Sequence, residues 1–235
     1  MSTPGLTDLR VKTDKKVIYE GNQIYHVSGF DTPFLPVTLN NDSDSIVAAR
    51  WRFLPYWIKS DADLKKAGNT LNAIGEEIFE KASFKRDILT HRGLLYVNGF
   101  FEPHDPNLAP ENQEEKPKKK VDKENFYIYS PTKEILTLGV VYTMFRDFET
   151  GVVYPTFSIL TTNANPLLEE IHNEKKRMPL IIPSDKRDEW LFAEGKEEIQ
   201  QLIIPFQGEL SAHKTFRVTS ARGIDTNRPD IQDAI

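Results

Sequence analysis

The apolar positions of this chain fall mainly into short continuous or alternating runs, and seldom into stripes at every third or fourth residue. Such runs predict strands. The segments "EILTLGVVYTMF" and "VVYPTFSILTT" are rich in Val, Ile, Thr, Tyr and Phe. Between them "RDFETG" supplies a turn, with Gly151 suited to its left-handed position, so the pair predicts an antiparallel hairpin. "LLYVNGFF" and "NFYIYS" predict two further strands. The stretch from Pro103 to Asn125, "PHDPNLAPENQEEKPKKKVDKEN", is rich in Pro, Asn, Glu and Lys and has little to bury. It predicts a mobile loop over 103–125.

Helical patterns are fewer. "DADLKKA" predicts a short helix, and "EEIFEKASFKRDILT" places Ile78, Phe79, Ala82, Ile88 and Leu89 near one face. "NPLLEEIHN" opens with Asn165 as an N-cap and Pro166 at the first helical position. "SDKRDEWLFAE" offers Ser184 as an N-cap and turns Trp190 and Leu191 inward, and "KEEIQQLIIPF" predicts a last helix ending near Pro205. Strands outnumber helices without alternating with them. The predicted class is therefore α+β, one domain spanning 1–235.

Composition removes much of the usual chemistry. The 235 residues include no cysteine, which excludes disulfides, thiolate metal sites and cysteine nucleophiles together. The five histidines show no metal-ligand spacing, and no Gly-rich phosphate loop is visible, so neither metal nor cofactor is predicted. A net charge of −5 gives no global case for nucleic acid, so a DNA partner would need a local basic surface. With no apolar run of about 18 residues and no leader-like start, the expectation is a cytoplasmic monomer that makes no membrane contact.

Three segments carry a more specific signal. "RWRFLPYW" (50–57) is followed by "NTLNAIGEE", then "GFFE" ends in Glu102, and "TTNANPLLEEIHNEKKRMPLII" holds His172 and Arg177-Met178-Pro179. Their order and content resemble the SRAP family, the SOS-response-associated peptidases or abasic-site-processing proteins. The resemblance implies an α+β fold around a central antiparallel, barrel-like sheet. It also implies a cleft for single-stranded DNA carrying an abasic site. Family members use an N-terminal cysteine, exposed by removal of the initiator methionine, whose amine and thiol capture the ring-opened sugar aldehyde. By the same resemblance Glu102 acts as general acid/base and in methionine removal, His172 in ring opening and reversal, and Asn72 in positioning the reacting end. A carboxyl and an imidazole of suitable pKa are natural partners for moving a proton between ring oxygens. The end of a helix would favour the cationic form of His172.

For DNA, Trp51, Tyr56 and Trp57 could stack on bases, although both tryptophans read first as core residues. Arg50, Arg52, Lys59, Lys175, Lys176 and Arg177 are available for phosphates. The chain departs from the family pattern in four places. Ser2 stands at the position of the family cysteine, Ile74 replaces the arginine of the N-A-R-x-E motif, Arg52 replaces a glycine, and Pro103 a tryptophan. Two readings compete: a chain without its authentic start, or a diverged member that retains DNA binding or weak imine chemistry; Ile74 favours the second. Outside the family, Glu102 could pair with Glu76 or Asp105 in a carboxylate hydrolase, or the cleft could serve a non-enzymatic interaction module.

Overall fold

The computed structural model describes residues 1–108, 122–218 and 225–235. Helix α1 (Leu6–Lys12) and strand β1 (Lys16–Val17) lead into β2 (Phe34–Leu39) and β3 (Asp42–Trp51). Helix α2 (Asp61–Lys66) and the short β4 (Asn72–Ile74) precede β5 (Arg92–Val97) and β6 (Gly99–His104). The next strands are β7 (Glu124–Tyr129), β8 (Leu136–Arg146) and β9 (Val153–Asn163), then α3 (Pro166–Ile171) and β10 (Arg177–Pro179). The chain continues through α4 (Arg187–Phe192), α5 (Gly195–Leu202) and β11 (Ser211–Thr215).

Strands β3, β2, β5, β8 and β9 pair in that order, and β9 pairs back onto β3, closing a five-stranded barrel. Its neighbouring pairs are antiparallel except the closing one, which is parallel through Arg50–Thr156 and Trp51–Phe157. Strand β4 adds to β9 in parallel and β10 in antiparallel. Strands β11, β7 and β6 form a separate small sheet. The expected α+β class and barrel-like centre are both present.

Period-two alternation explains why these strands read as unbroken apolar runs. On β8, Leu138, Val140 and Tyr142 belong to the main core cluster, whereas Val141 between them joins a second cluster outside the barrel. Strand β5 behaves likewise, with Leu95 and Val97 in the main core and Leu94 outside it. Helices α4 and α5 cover that outer layer with Trp190, Leu191 and Ile199. Gly139 makes room there, since a Cβ on it would lie 3.2 Å from the Trp190 indole.

The hairpin turn between β8 and β9 has Gly151 at φ +72°, and Asn165 caps α3 by accepting the Leu168 N–H at 3.0 Å. Three expectations need correcting. The segment 76–90 is not one helix; it folds as two 3-10 turns, Gly75–Glu77 and Asp87–Leu89, with irregular turns between. Ile78, Phe84 and Ile88 are all buried there. With Phe79 they spread too far around a helical wheel to face one core, so the chain bends repeatedly to bury them. Ser184 opens a 3-10 turn before α4 and makes no side-chain cap. The stretch predicted as a loop over 103–125 is strand at both ends: β6 runs to His104 and β7 starts at Glu124, with Pro103 tolerated because β6 is an edge strand. Residues 109–121 of that stretch lie outside the described residues.

One buried cation ties the helical layer to the barrel. Arg92, on β5, donates to the carbonyls of Trp190 (2.8 Å), Ile88 (2.8 Å), Leu89 (2.9 Å), Leu191 (3.1 Å) and Ala193 (2.6 Å). These oxygens belong to the second 3-10 turn and the C-terminal end of α4, where unpaired carbonyls need donors. Replacing Arg92 by methionine is expected to cost about 3 kcal/mol or more, because charge-assisted bonds are lost and buried carbonyls stranded. A urea titration would read this as a lower midpoint at unchanged slope.

Candidate functional site

Strand β6 carries Glu102 opposite Phe126 of β7, at the place where the small sheet meets the barrel. The residues just beyond Glu102 anchor its position. The Asp105 N–H donates to Asn173 Oδ1 at 3.1 Å, and Asn173 Nδ2 returns a bond to the Asp105 carbonyl at 2.8 Å. His104 Nδ1–H donates to the Ile171 carbonyl at 3.0 Å. The end of β6 is thus fastened to the end of α3, and His172 comes directly after α3.

The spacing between His172 and Arg177 has a local cause. Residues 164–176 leave β9, form α3 and return as β10, whose Arg177 pairs with Asn163. The return is closed by Lys176, at φ +49°, whose N–H donates to the His172 carbonyl at 2.8 Å. It brings the Arg177 carbonyl within 2.9 Å of His172 Nδ1. A carbonyl only accepts, so Nδ1 carries the hydrogen and Nε2 of the neutral ring is left unprotonated. Glu102 Oε2 lies 3.4 Å from His172 Nδ1, a contact too long for a strong hydrogen bond.

These groups line a cleft of about 720 Å³, together with Met1, Trp51, Asn72, Ile74, Glu76, Lys175 and Arg177. Burial sets the protonation there. It pushes the Glu102 carboxyl up to about 8, against the opposing pull of the Met1 amine and Lys175. Burial also pushes the Met1 amine down to about 5, with Glu102 acting the other way. His172 is lowered by burial, although its bond to the Arg177 carbonyl resists this. The sequence-based expectation of a favoured imidazolium is therefore overturned. His172 lies just past a helix of only six residues, and losing water outweighs the helix end.

The remaining expected residues divide. Asn72 and Arg177 are in the cleft, and Trp51 is both core and wall, 8% exposed with Nε1–H on the Leu71 carbonyl at 2.9 Å. Trp57 is not among the lining residues; it packs with Leu54, Ile58 and Phe145. Arg52 and Lys176 do not line the cleft either. Ser2 is fully buried behind it, its Oγ 2.9 Å from the Tyr127 hydroxyl and donating to the Gly99 carbonyl at 3.3 Å. Met1 is the residue that faces the cleft, its amine donating to the Val27 carbonyl at 3.1 Å.

Glu76 is occupied. Its Oε2 accepts from Arg177 Nη2 at 2.6 Å, and its Oε1 accepts from the Thr162 hydroxyl and the Asn163 N–H. Burial alone would raise the carboxyl, but the Arg177 guanidinium wins and holds it below its usual range. Asp105 is buried outside the cleft lining, with Oδ1 accepting the Asn107 N–H. Sequence reasoning missed the Glu76–Arg177 pair and the position of Met1. No local pattern signals a contact across so many residues. Among the described residues no group of three or more His, Asp or Glu side chains could hold a metal ion, and no helix is long and apolar enough to cross a membrane.

Residues 10–221 match the sequence model of SOS response associated peptidase (SRAP), and the chain belongs to that family. Among curated relatives, abasic site processing protein YoqW of Bacillus subtilis (strain 168) is 26% identical over 177 residues, covering 74% of this chain and 70% of YoqW. Abasic site processing protein HMCES of Gallus gallus is 25% identical over 183 residues, covering 71% of this chain and 53% of HMCES. A crystal structure of a protein from Bacteroides thetaiotaomicron superposes with a TM-score of 0.80 at 28% identity, covering 100% of this chain and 97% of that one.

The Glu102 environment makes a testable statement about stability. A carboxyl raised from 4.5 to about 8 binds its proton more tightly folded than unfolded. The stability this gives is complete below the unfolded pKa and is lost as pH rises through the folded one. Glu102→Gln lacks this loss, so its stability relative to the native chain should climb between pH 4.5 and 8, by at most about 1.4 kcal/mol per pH unit. Urea unfolding at a series of pH values checks this; a constant difference would mean that Glu102 ionises freely.

Proposed function

We propose that the cleft receives the sugar of an abasic site in single-stranded DNA, and that the chain serves the response to DNA damage. The observation that carries this reading is the convergence of three proton-trading groups, the Glu102 carboxyl, the His172 imidazole and the Met1 amine, in one solvent-open cleft. Family membership and the names of the relatives support it.

The chemistry rests on the protonation states. An abasic sugar shows an aldehyde only after its hemiacetal opens, which requires a proton to leave one ring oxygen and another to arrive. Near neutral pH Glu102 holds a proton to give, and His172 Nε2 has a lone pair to accept one. In a polypeptide that starts at Met1, the neutral amine attacks the aldehyde carbon. The new C–N bond forms as Glu102 protonates the carbonyl oxygen and the nitrogen loses a proton. Loss of water then leaves an imine. The reaction uses protons and water alone. Without a thiol the adduct stays an imine, open to hydrolysis. The Ser2 hydroxyl is engaged with Tyr127 and Gly99 and plays no part.

In this reading Asn72 and Lys175 contact the DNA at the mouth of the cleft, and Arg177, oriented by Glu76, lines its wall. Every group named belongs to one chain, which acts as a monomer in the cytoplasm. The hydrolase alternative is disfavoured because the Glu76 carboxylate is committed to Arg177, and Asp105 is outside the cleft lining.

The test mixes the protein with a single-stranded oligonucleotide carrying one abasic site, with and without cyanoborohydride, before denaturing gels and intact mass. The expected outcome is an adduct that survives denaturation only after reduction, located at the first residue. Glu102→Gln should slow it by about a hundredfold or more. Salt-sensitive binding without an adduct would restrict the function to DNA binding. Absence of both would remove the DNA reading.

A further inference from the structure

A second hollow lies against the wall of the cleft. It measures about 300 Å³ and is lined by Gly29, Phe30, Thr32, Arg52 and the stretch Gly68–Leu71. Trp51 and Leu71 form the partition between the two. Trp51 lines the cleft, Leu71 lines the hollow, and they are joined by the indole N–H on the Leu71 carbonyl. Gly29 holds the hollow close to that partition, because a Cβ on it would stand 3.0 Å from the Trp51 ring and 3.1 Å from Leu71. Asn72, which lines the cleft, is the next residue after Leu71.

Two side chains of the hollow have no internal reason to be where they are. Phe30 is 81% exposed, on the 3-10 turn Gly29–Asp31. A phenyl ring left in water forfeits the burial that normally places it. Arg52 has a single long bond, Nη2–H to the Leu64 carbonyl at 3.4 Å, and it forms no ion pair among the described residues. Arg50 is engaged elsewhere, donating to Thr32 Oγ1 and to the Tyr154 hydroxyl, both at 3.1 Å, and acting on Asp147. One acid, Asp31, adjoins Phe30 in the same turn. A free aromatic face and a guanidinium without an ion pair, lining one hollow, match a base and its phosphate.

We propose that this hollow is a subsite for a nucleotide flanking the lesion, with the base stacked on Phe30 and its phosphate on Arg52, so that the strand crosses the Trp51–Leu71 partition as it leaves the cleft. This rests on the reading of the cleft as a single-stranded DNA site. It assigns work to Arg52 that the cleft itself does not need, and it places the strand on the side of the cleft where the Phe30 turn projects. The partner is a single strand, whose bases turn out freely to stack on a ring.

Fluorescence anisotropy with two ligands carrying a stable abasic analogue tests it. The shorter is the abasic nucleotide alone, which has no neighbour to reach the hollow, and the longer is an oligonucleotide of about ten nucleotides with the lesion at its centre. Phe30→Ala should weaken binding of the longer one about tenfold and leave the shorter unchanged. Arg52→Ala should weaken the longer one too, and reduce the slope of log affinity against log salt by about 0.7. Phe30 is exposed and Arg52 half-buried, and unchanged urea midpoints would verify that the variants fold. Native affinity of both variants for the longer oligonucleotide would overturn the subsite while the cleft reading stands. Equal losses on both ligands would also overturn it, since the residues would then act on the cleft. If the native protein binds neither, the reading of the cleft fails and the subsite goes with it.

Discussion

Glu102 is a largely buried carboxyl group in a cleft walled by a closed barrel and a small three-stranded sheet, and the surrounding architecture holds it there. A strand end would normally let such a group swing into solvent. Here the peptide of Asp105 is gripped in both directions by the amide of Asn173, and His104 is fastened to the end of α3. The same grip sets the separation between Glu102 and His172, because β6 carries the first and the end of α3 places the second. Dehydration then assigns the protons: the acid keeps its own, while the amine and the imidazole give theirs up. A few backbone bonds thus determine the chemical state of the site.

Local signals in the sequence were sufficient for local features. The β8–β9 hairpin was legible because Gly151 marks its turn, and α3 because Asn165 and Pro166 mark its start. The stretch 76–90 misled because its apolar residues suggested one helix face, whereas Phe79 and Phe84 could be buried only by breaking it. Closure of the barrel through Trp51 and Phe157 left no trace in the sequence, since no pattern within either strand names its distant partner.

The site was legible in its order and not in its electrostatics. Motif order led to Glu102, His172, Asn72 and Arg177, all of which line one cleft. The charge on His172 depended on how much water its position excludes, which three dimensions alone define. Trp57, Arg52 and Lys176 were grouped with the cleft because they neighbour its motifs in sequence. Strand β3 ends at Trp51, which reaches the cleft wall, and Arg52, in the bend just beyond it, lines the neighbouring hollow.

The parallel pairing of β3 with β9 has a consequence for synthesis. Strands β2, β3 and β5 can begin to pair as they are made, but the ring cannot close until Thr156 and Phe157 have emerged to meet Arg50 and Trp51. Closing so long a loop is entropically costly and tends to be slow. His172 and Arg177 arrive later still. A nascent chain therefore lacks the finished cleft for most of its translation, and only near the end do the walls around Glu102 come together.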